Sequence, residues 1–245
     1  MSTLDPIRCT VEISLPPATL ETLSSQSFEL YAWKAVQSSQ GEGRPLVWWR
    51  APSLAPRIPL AWTRTYQAFG SHDEIVTRRV VHPVSTPIDL GFTWFIGDTL
   101  SGPIEREGAD NAVSFSSTAM EAIRVGLAQP VGEEFATYCV FPLNTTFGRL
   151  IIPRDTVLLA FSNLPMPEGS VSGRSLANPL GREVEDDSVL ASTSPGLLID
   201  LELAGMPEVS VRFDLARGGW DWGGFSWGRQ VAINEPLVDV LILDP

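Results

Sequence analysis

The feature that most constrains this chain is a period-two alternation that recurs along almost its whole length. In "RCTVEISL" Cys9, Val11, Ile13 and Leu15 share one side, while Thr10, Glu12 and Ser14 share the other. "PEVSVRFDL" repeats the pattern with Val209, Val211, Phe213 and Leu215 against Glu208, Ser210, Arg212 and Asp214. Successive side chains of a strand point to opposite faces, so each run reads as a half-buried antiparallel strand. "SFELYAWKAVQ", "PLVWWR", "IPLAWTRTYQAF", "FATYCVF", "TVLLAFS" and "GLLIDLEL" follow the same style. Twenty prolines and twenty glycines fall mostly between these runs as turn punctuation.

Helical signals are few. "PPATLETLSS" (16–25) could make one or two turns, with Leu20 and Leu23 following the proline pair. "STAMEAIRVGLAQP" (117–130) reads either as a helix capped by Ser117 or Thr118, with Met120, Ile123 and Leu127 in register, or as another strand. The expected fold is therefore all-β: an antiparallel β-sandwich or barrel with at most one or two short helices, formed by residues 1–245 as a single domain. No repeat at propeller or solenoid periods is present. The segment 164–195 is rich in Pro, Gly and Ser and carries the acids Glu183, Glu185, Asp186 and Asp187, which suggests a loop or flap.

Composition excludes several classes of function. The formal net charge is −12, which argues against nucleic acid and against electrostatic attraction to anionic lipid. No apolar run approaches the roughly 20 residues of a spanning helix, and the start, "MSTLDPIRC", lacks the features of a secretory leader, so a cytoplasmic location is expected. Cys9 and Cys139 read as buried thiols. Two cysteines and two histidines (His72, His82) in no ligand spacing argue against a structural metal site, and no cofactor-binding motif is present. "NTT" (144–146) is formally a glycosylation acceptor, but it has no weight without a leader.

The aromatic residues carry what chemistry can be read. "RGGWDWGGFSWGR" (217–229) alternates Trp220, Trp222 and Trp227 with glycine pairs, around Asp221. Glycine permits close approach, indole offers a flat face, and a carboxylate beside it accepts hydroxyls, which is the chemistry of sugar recognition. The bland alternative is a turn whose indoles plug the end of a sandwich. Trp48 and Trp49 are adjacent and must point to opposite faces, so one of them is free for water, a second sheet or a ligand. Trp62 and Tyr66, with Arg64 between them, suit an Arg–aromatic stack or a plain aromatic ladder. Lys34, the only lysine, shares a strand face with Leu30, Ala32 and Val36. It is either a nucleophile of depressed pKa or a side chain that snorkels from a strand end to water.

Two functional readings follow. The first is a non-catalytic binding protein, lectin-like or cytolysin-like, that takes a glycan, small molecule or lipid headgroup through Trp220, Asp221, Trp222, Trp227, Trp49, Trp62 and Tyr66. The alternative is a cofactor-free cyclase or isomerase with an aromatic-lined apolar pocket, in which one desolvated carboxylate acts as acid or base. Its candidates are Asp89, Asp98, Asp200 and Asp221.

Overall fold

A computed structural model describes residues 7–38, 42–143, 148–176 and 195–244. In chain order the first strands are β1 (Arg8–Ser14), β2 (Glu29–Ser38), β3 (Arg44–Pro45), β4 (Trp49–Ala51), β5 (Arg57–Thr63) and β6 (Tyr66–Ser71). Next come β7 (Val84–Ile88), β8 (Thr93–Ile96), β9 (Ile104–Glu105), β10 (Val113–Ser117), β11 (Ile123–Val131) and β12 (Glu134–Leu143). The last are β13 (Arg149–Ser162), β14 (Gly196–Asp200), β15 (Glu208–Asp214), β16 (Gly219–Asp221), β17 (Gly228–Val231) and β18 (Ile242–Leu243).

These strands form two sheets. The first runs β16-β15-β1-β5-β11-β12-β3, with β6 and β7 attached beside β11. The second runs β17-β14-β13-β10-β8-β9, with β2 along the other edge of β13 and β4 and β18 on β2. The all-β expectation holds, but the sheets are mixed rather than purely antiparallel. β1 pairs with β15 in parallel, as do β8 with β10 and β2 with β18. Alternation along a strand reports which face is buried and is blind to the direction of the neighbour, so the pattern could not separate the two cases.

The main core lies between the sheets. Val11 and Ile13 of β1, Leu30, Ala32 and Val36 of β2, and Leu127, Phe141, Leu159 and Phe161 all belong to it. The opposite faces of two central strands are covered as well. Tyr31, Trp33 and Ala35 of β2 pack with Met166, Leu176, Leu237 and Leu241, and Phe69 and Val140 of the first sheet pack with Leu46, Val81 and Val171. This double burial is why "LYAWKAV" is apolar at nearly every position.

The helical content differs from expectation in number and place. The described residues contain three short helices, α1 (Pro17–Ser25), α2 (Leu201–Ala204) and α3 (Leu237–Leu241), together with a 3₁₀ turn at Leu215–Arg217. The first is the one expected near 16–25. The ambiguous segment 117–130 is strand from Ile123 onward: Ile123, Val125 and Leu127 are buried, whereas Met120 is 95% exposed. A helix would have placed Met120 on the face of Ile123 and Leu127, and period two won instead. Leu215, expected to continue the buried face of β15, is 45% exposed. Asp214 ends the strand and caps the 3₁₀ turn by accepting from the Ala216 N–H, which rolls Leu215 outward.

Of the segment 164–195, residues 164–176 are packed rather than loose. Isolated bridges join Val171 to Leu46, Ser170 to Val80 and Ser175 to Pro236. The acids Glu183, Glu185, Asp186 and Asp187 and the 144–146 triplet lie outside the described residues. No described helix is long and apolar enough to cross a membrane.

Candidate functional site

The Trp/Gly segment crosses from one sheet to the other, since β16 belongs to the first and β17 to the second. Its aromatic residues divide. Trp220 is 8% exposed, stacks on Phe161 at 5.5 Å, meets Phe213 edge-on at 4.9 Å and donates Nε1–H to the Pro195 carbonyl. It is therefore a core residue, not a ligand platform. β16 stops at Asp221, so Trp222 already belongs to the turn, where its Nε1–H donates to the Phe225 carbonyl. Trp222 and Trp227 are half-buried against the core, and Phe225, 60% exposed, stacks on Trp227 at 5.9 Å. Gly223 and Gly224 have positive φ, as a reversal this tight requires. Asp221 is exposed, but its carboxylate accepts from the Gly223 N–H and faces Arg217 at 3.8 Å.

Trp48 and Trp49 diverge as alternation requires. Trp48 is fully buried, while Trp49 is half-buried and forms a wall common to two open grooves. One, of about 520 Å³, is lined by Trp49, Trp62, Thr63, Pro59, Val131 and Glu133. The other, of about 400 Å³, is lined by Trp49, Val81, Pro83, Phe135, Glu134 and Glu168. The structure thus brings Trp49 and Trp62 of the expected set together and leaves Trp222 and Trp227 in the turn between β16 and β17.

Behind Trp62 lies a feature that the sequence only half revealed. Lys34 does not reach a strand end: it is 1% exposed and faces the space between the sheets. Its Nζ sits 4.6 Å from the Trp62 ring centroid, 5.0 Å from that of Trp48 and 6.0 Å from that of Tyr138. Rings facing a cation stabilise it through their quadrupoles. The counter-charge is Asp155, whose Oδ1 is 3.8 Å from Lys34 Nζ and accepts the Trp62 Nε1–H at 3.2 Å. The other carboxylate oxygen pairs with Arg64 Nε at 2.5 Å. Arg64 is therefore held by an acid rather than stacked on Trp62 and Tyr66; the cation over Trp62 is the lysine.

Asp155 reaches inward because β13 bulges. Val36 pairs with Pro153 and Lys34 with Val157, so Arg154, Asp155 and Thr156 together face the single residue Ala35. Arg154 turns the other way, to Glu202 of α2 at 2.6 Å, and Glu202 also accepts the Asp155 N–H. Burial pulls the Lys34 pKa down to about 8, against the opposing pull of Asp155. Burial likewise pushes the Cys9 thiol up, Cys139 to about 12, and the Tyr138 phenol well above its ordinary value. Both cysteines are free and buried, as expected. Tyr138 Oη and Gln129 Oε1 are buried without a hydrogen-bond partner.

The carboxylates considered for acid–base chemistry lie elsewhere. Asp89 and Asp98 are exposed, and Asp98 accepts from the Met120 and Glu121 N–H groups. Asp200 caps α2 by accepting from the Glu202 and Leu203 N–H groups. The buried carboxylates among the described residues are Asp155 and Asp214, and Asp214 holds Arg212 at 2.9 Å. Neither stands out in sequence, because nothing local marks a bulge or a distant arginine. His82 is exposed and bonded to Asp73, and exposed His72 bonds the Asp98 carbonyl, as turn histidines do.

No protein-family model matches the chain, and no curated protein or solved structure is detectably similar to it.

Proposed function

We propose that the protein is a non-catalytic binding protein whose ligand is a carbohydrate lying across Trp49. The observation that carries this reading is the position of that indole, as the common wall of two adjoining open grooves with Glu133, Glu134 and Glu168 among their lining. Saccharides present an apolar C–H face and a polar edge. An indole wall suits the face, and carboxylates accept from the hydroxyls. Two grooves on one ring suit an extended ligand of more than one sugar unit.

Rigidity favours the same site. Trp62 lines one groove while its indole N–H is fixed by Asp155 and its ring packs over Lys34, so that part of the lining is organised before any ligand arrives. The cofactor-free cyclase or isomerase is less well supported. Asp155 and Asp214 are each engaged by arginine, and neither lines either of the two grooves beside Trp49.

The test is a glycan array with the unmodified protein, followed by titration of the retained glycan into Trp49→Ala, Trp222→Ala and Trp227→Ala. Trp49→Ala should abolish retention while the protein stays folded, with a fall in melting temperature no larger than that of the two turn variants, which should still bind. Absence of any retained glycan, or full binding by Trp49→Ala, would refute the reading.

A further inference from the structure

The largest of the described grooves, about 640 Å³, lies away from Trp49, between β3, the 77–78 loop, residues 172–175 and the start of α3. Its polar lining is Arg44, Arg174, Thr77, Ser172, Ser175 and Asn234, with no carboxylate among the described residues. That is unusual on a chain with net charge −12. Of the other arginines, Arg50, Arg57, Arg64, Arg154, Arg212, Arg217 and Arg229 each face an acid within 4.0 Å, while Arg8, Arg79, Arg106 and Arg124 have no acid partner among the described residues; Arg44 and Arg174 are set apart by lining one groove together. Arg44 and Arg174 are exposed and pair with no carboxylate among the described residues; the one side-chain bond of Arg44 goes to the Gly43 carbonyl. A third such guanidinium, Arg78, lines an adjoining depression that shares Ser172 with this groove.

Ser172 supplies the fixed element. It is 4% exposed, and its Oγ accepts the buried Trp33 Nε1–H at 2.7 Å. One lone pair is thereby committed, and the hydroxyl hydrogen finds no acceptor among the described residues, so the group is poised to donate. Guanidinium groups bind tetrahedral oxyanions through paired N–H donors, and a positioned hydroxyl adds a further donor.

We infer that this groove is an oxyanion site for a phosphate or sulfate ester, held by Arg44 and Arg174 with Ser172 as an oriented donor. It is independent of the Trp49 grooves. The Arg44 and Arg174 side chains make no ion pair among the described residues, so their replacement is expected to leave the melting temperature near that of the parent.

The test is calorimetric titration of inorganic phosphate and inorganic sulfate into the whole chain at about 0.15 M chloride, which screens diffuse attraction. Saturable binding in the millimolar range or tighter is expected, weakened about tenfold in Arg44→Ala and again in Arg174→Ala, as loss of a charge-assisted hydrogen bond implies. Trp49→Ala should titrate like the parent, so failure of the glycan reading and failure of this one are separate results. Two further arms identify the source of the ester. Competition by glucose 6-phosphate without retention on phosphatidic acid vesicles assigns a soluble sugar ester. Vesicle retention lost in Arg44→Ala assigns a lipid headgroup. No saturable binding of either anion, or equal binding by the parent and a double Arg44→Ala, Arg174→Ala variant with unchanged melting temperature, would overturn the inference.

Discussion

Replacing Lys34 by methionine removes the charge while keeping a side chain of similar length between Trp48 and Trp62. The ordinary lysine value is 10.5, and burial brings Lys34 to about 8. At about 1.4 kcal/mol per decade, the fold disfavours the ammonium relative to the neutral amine by roughly 3 kcal/mol. The sign follows from proton counting. Between pH 8 and 10.5 the unfolded chain keeps a proton that folded Lys34 has lost, so this contribution to stability rises with pH across that window and is lost as pH falls through 8. Cys9 and Cys139 oppose it. Their folded values lie above 9.0, so above pH 9 the unfolded chain releases the thiol protons first and stability falls. Tyr31, Tyr66 and Tyr138 act likewise above pH 10. The difference between parent and Lys34→Met cancels these common contributions. Guanidinium unfolding from pH 7 to 10.5 should find Lys34→Met more stable by about 2–3 kcal/mol at pH 7, with the gap closing by about 3 kcal/mol toward pH 10.5. Asp155 keeps Arg64 and the Trp62 indole in this variant, so no carboxylate is stranded. Asp155→Asn should act oppositely, leaving the ammonium without its anion and lowering stability at pH 7. A Lys34→Met protein that is less stable than the parent, with a gap that does not change with pH, would refute the reasoning.

Other perturbations separate core from surface. Trp220→Ala should lose about 3–5 kcal/mol in chemical denaturation, whereas Phe225→Ala should stay within about 0.5 kcal/mol of the parent; equal losses would contradict the division of the turn. A Cβ at Gly126 would meet the Cys139 carbonyl oxygen at 2.0 Å and the Phe69 ring at 2.6 Å. Gly126→Ala should therefore lose about 1–3 kcal/mol of stability or more through overpacking and melt at a lower temperature, and an unchanged melting curve would mean the strands can part freely. Native Cys9 and Cys139 should react with a thiol dye only at the rate of unfolding; labelling within the mixing time at pH 8 would show them accessible.

Much of the architecture could be read from the residues. The alternation of Cys9, Val11 and Ile13 and of Val209, Val211 and Phe213 located core faces correctly, and adjacency put Trp48 and Trp49 on opposite faces without saying which was inside. Strand direction could not be read, because the parallel β1–β15 pair buries the same faces an antiparallel one would. The site was harder for a related reason. Alternation placed Lys34 on the core face, yet its anion comes from a bulge far along the chain, and bulges have no periodic signature. Trp220 and Trp222 looked equivalent in "WDW" until the strand ended between them.

The buried lysine also makes the native protein nearly blind to amine chemistry. Sixteen of its seventeen basic residues are arginine, so its surface is charged by guanidinium groups that acylating reagents and aldehydes leave largely alone. The single side-chain amine is sealed behind two indoles and becomes reactive only when the sheets separate. Acylation read at Lys34 by peptide mapping therefore times the opening of the sandwich from one side chain, and cross-linkers that depend on lysine side chains will under-report whatever the native protein binds.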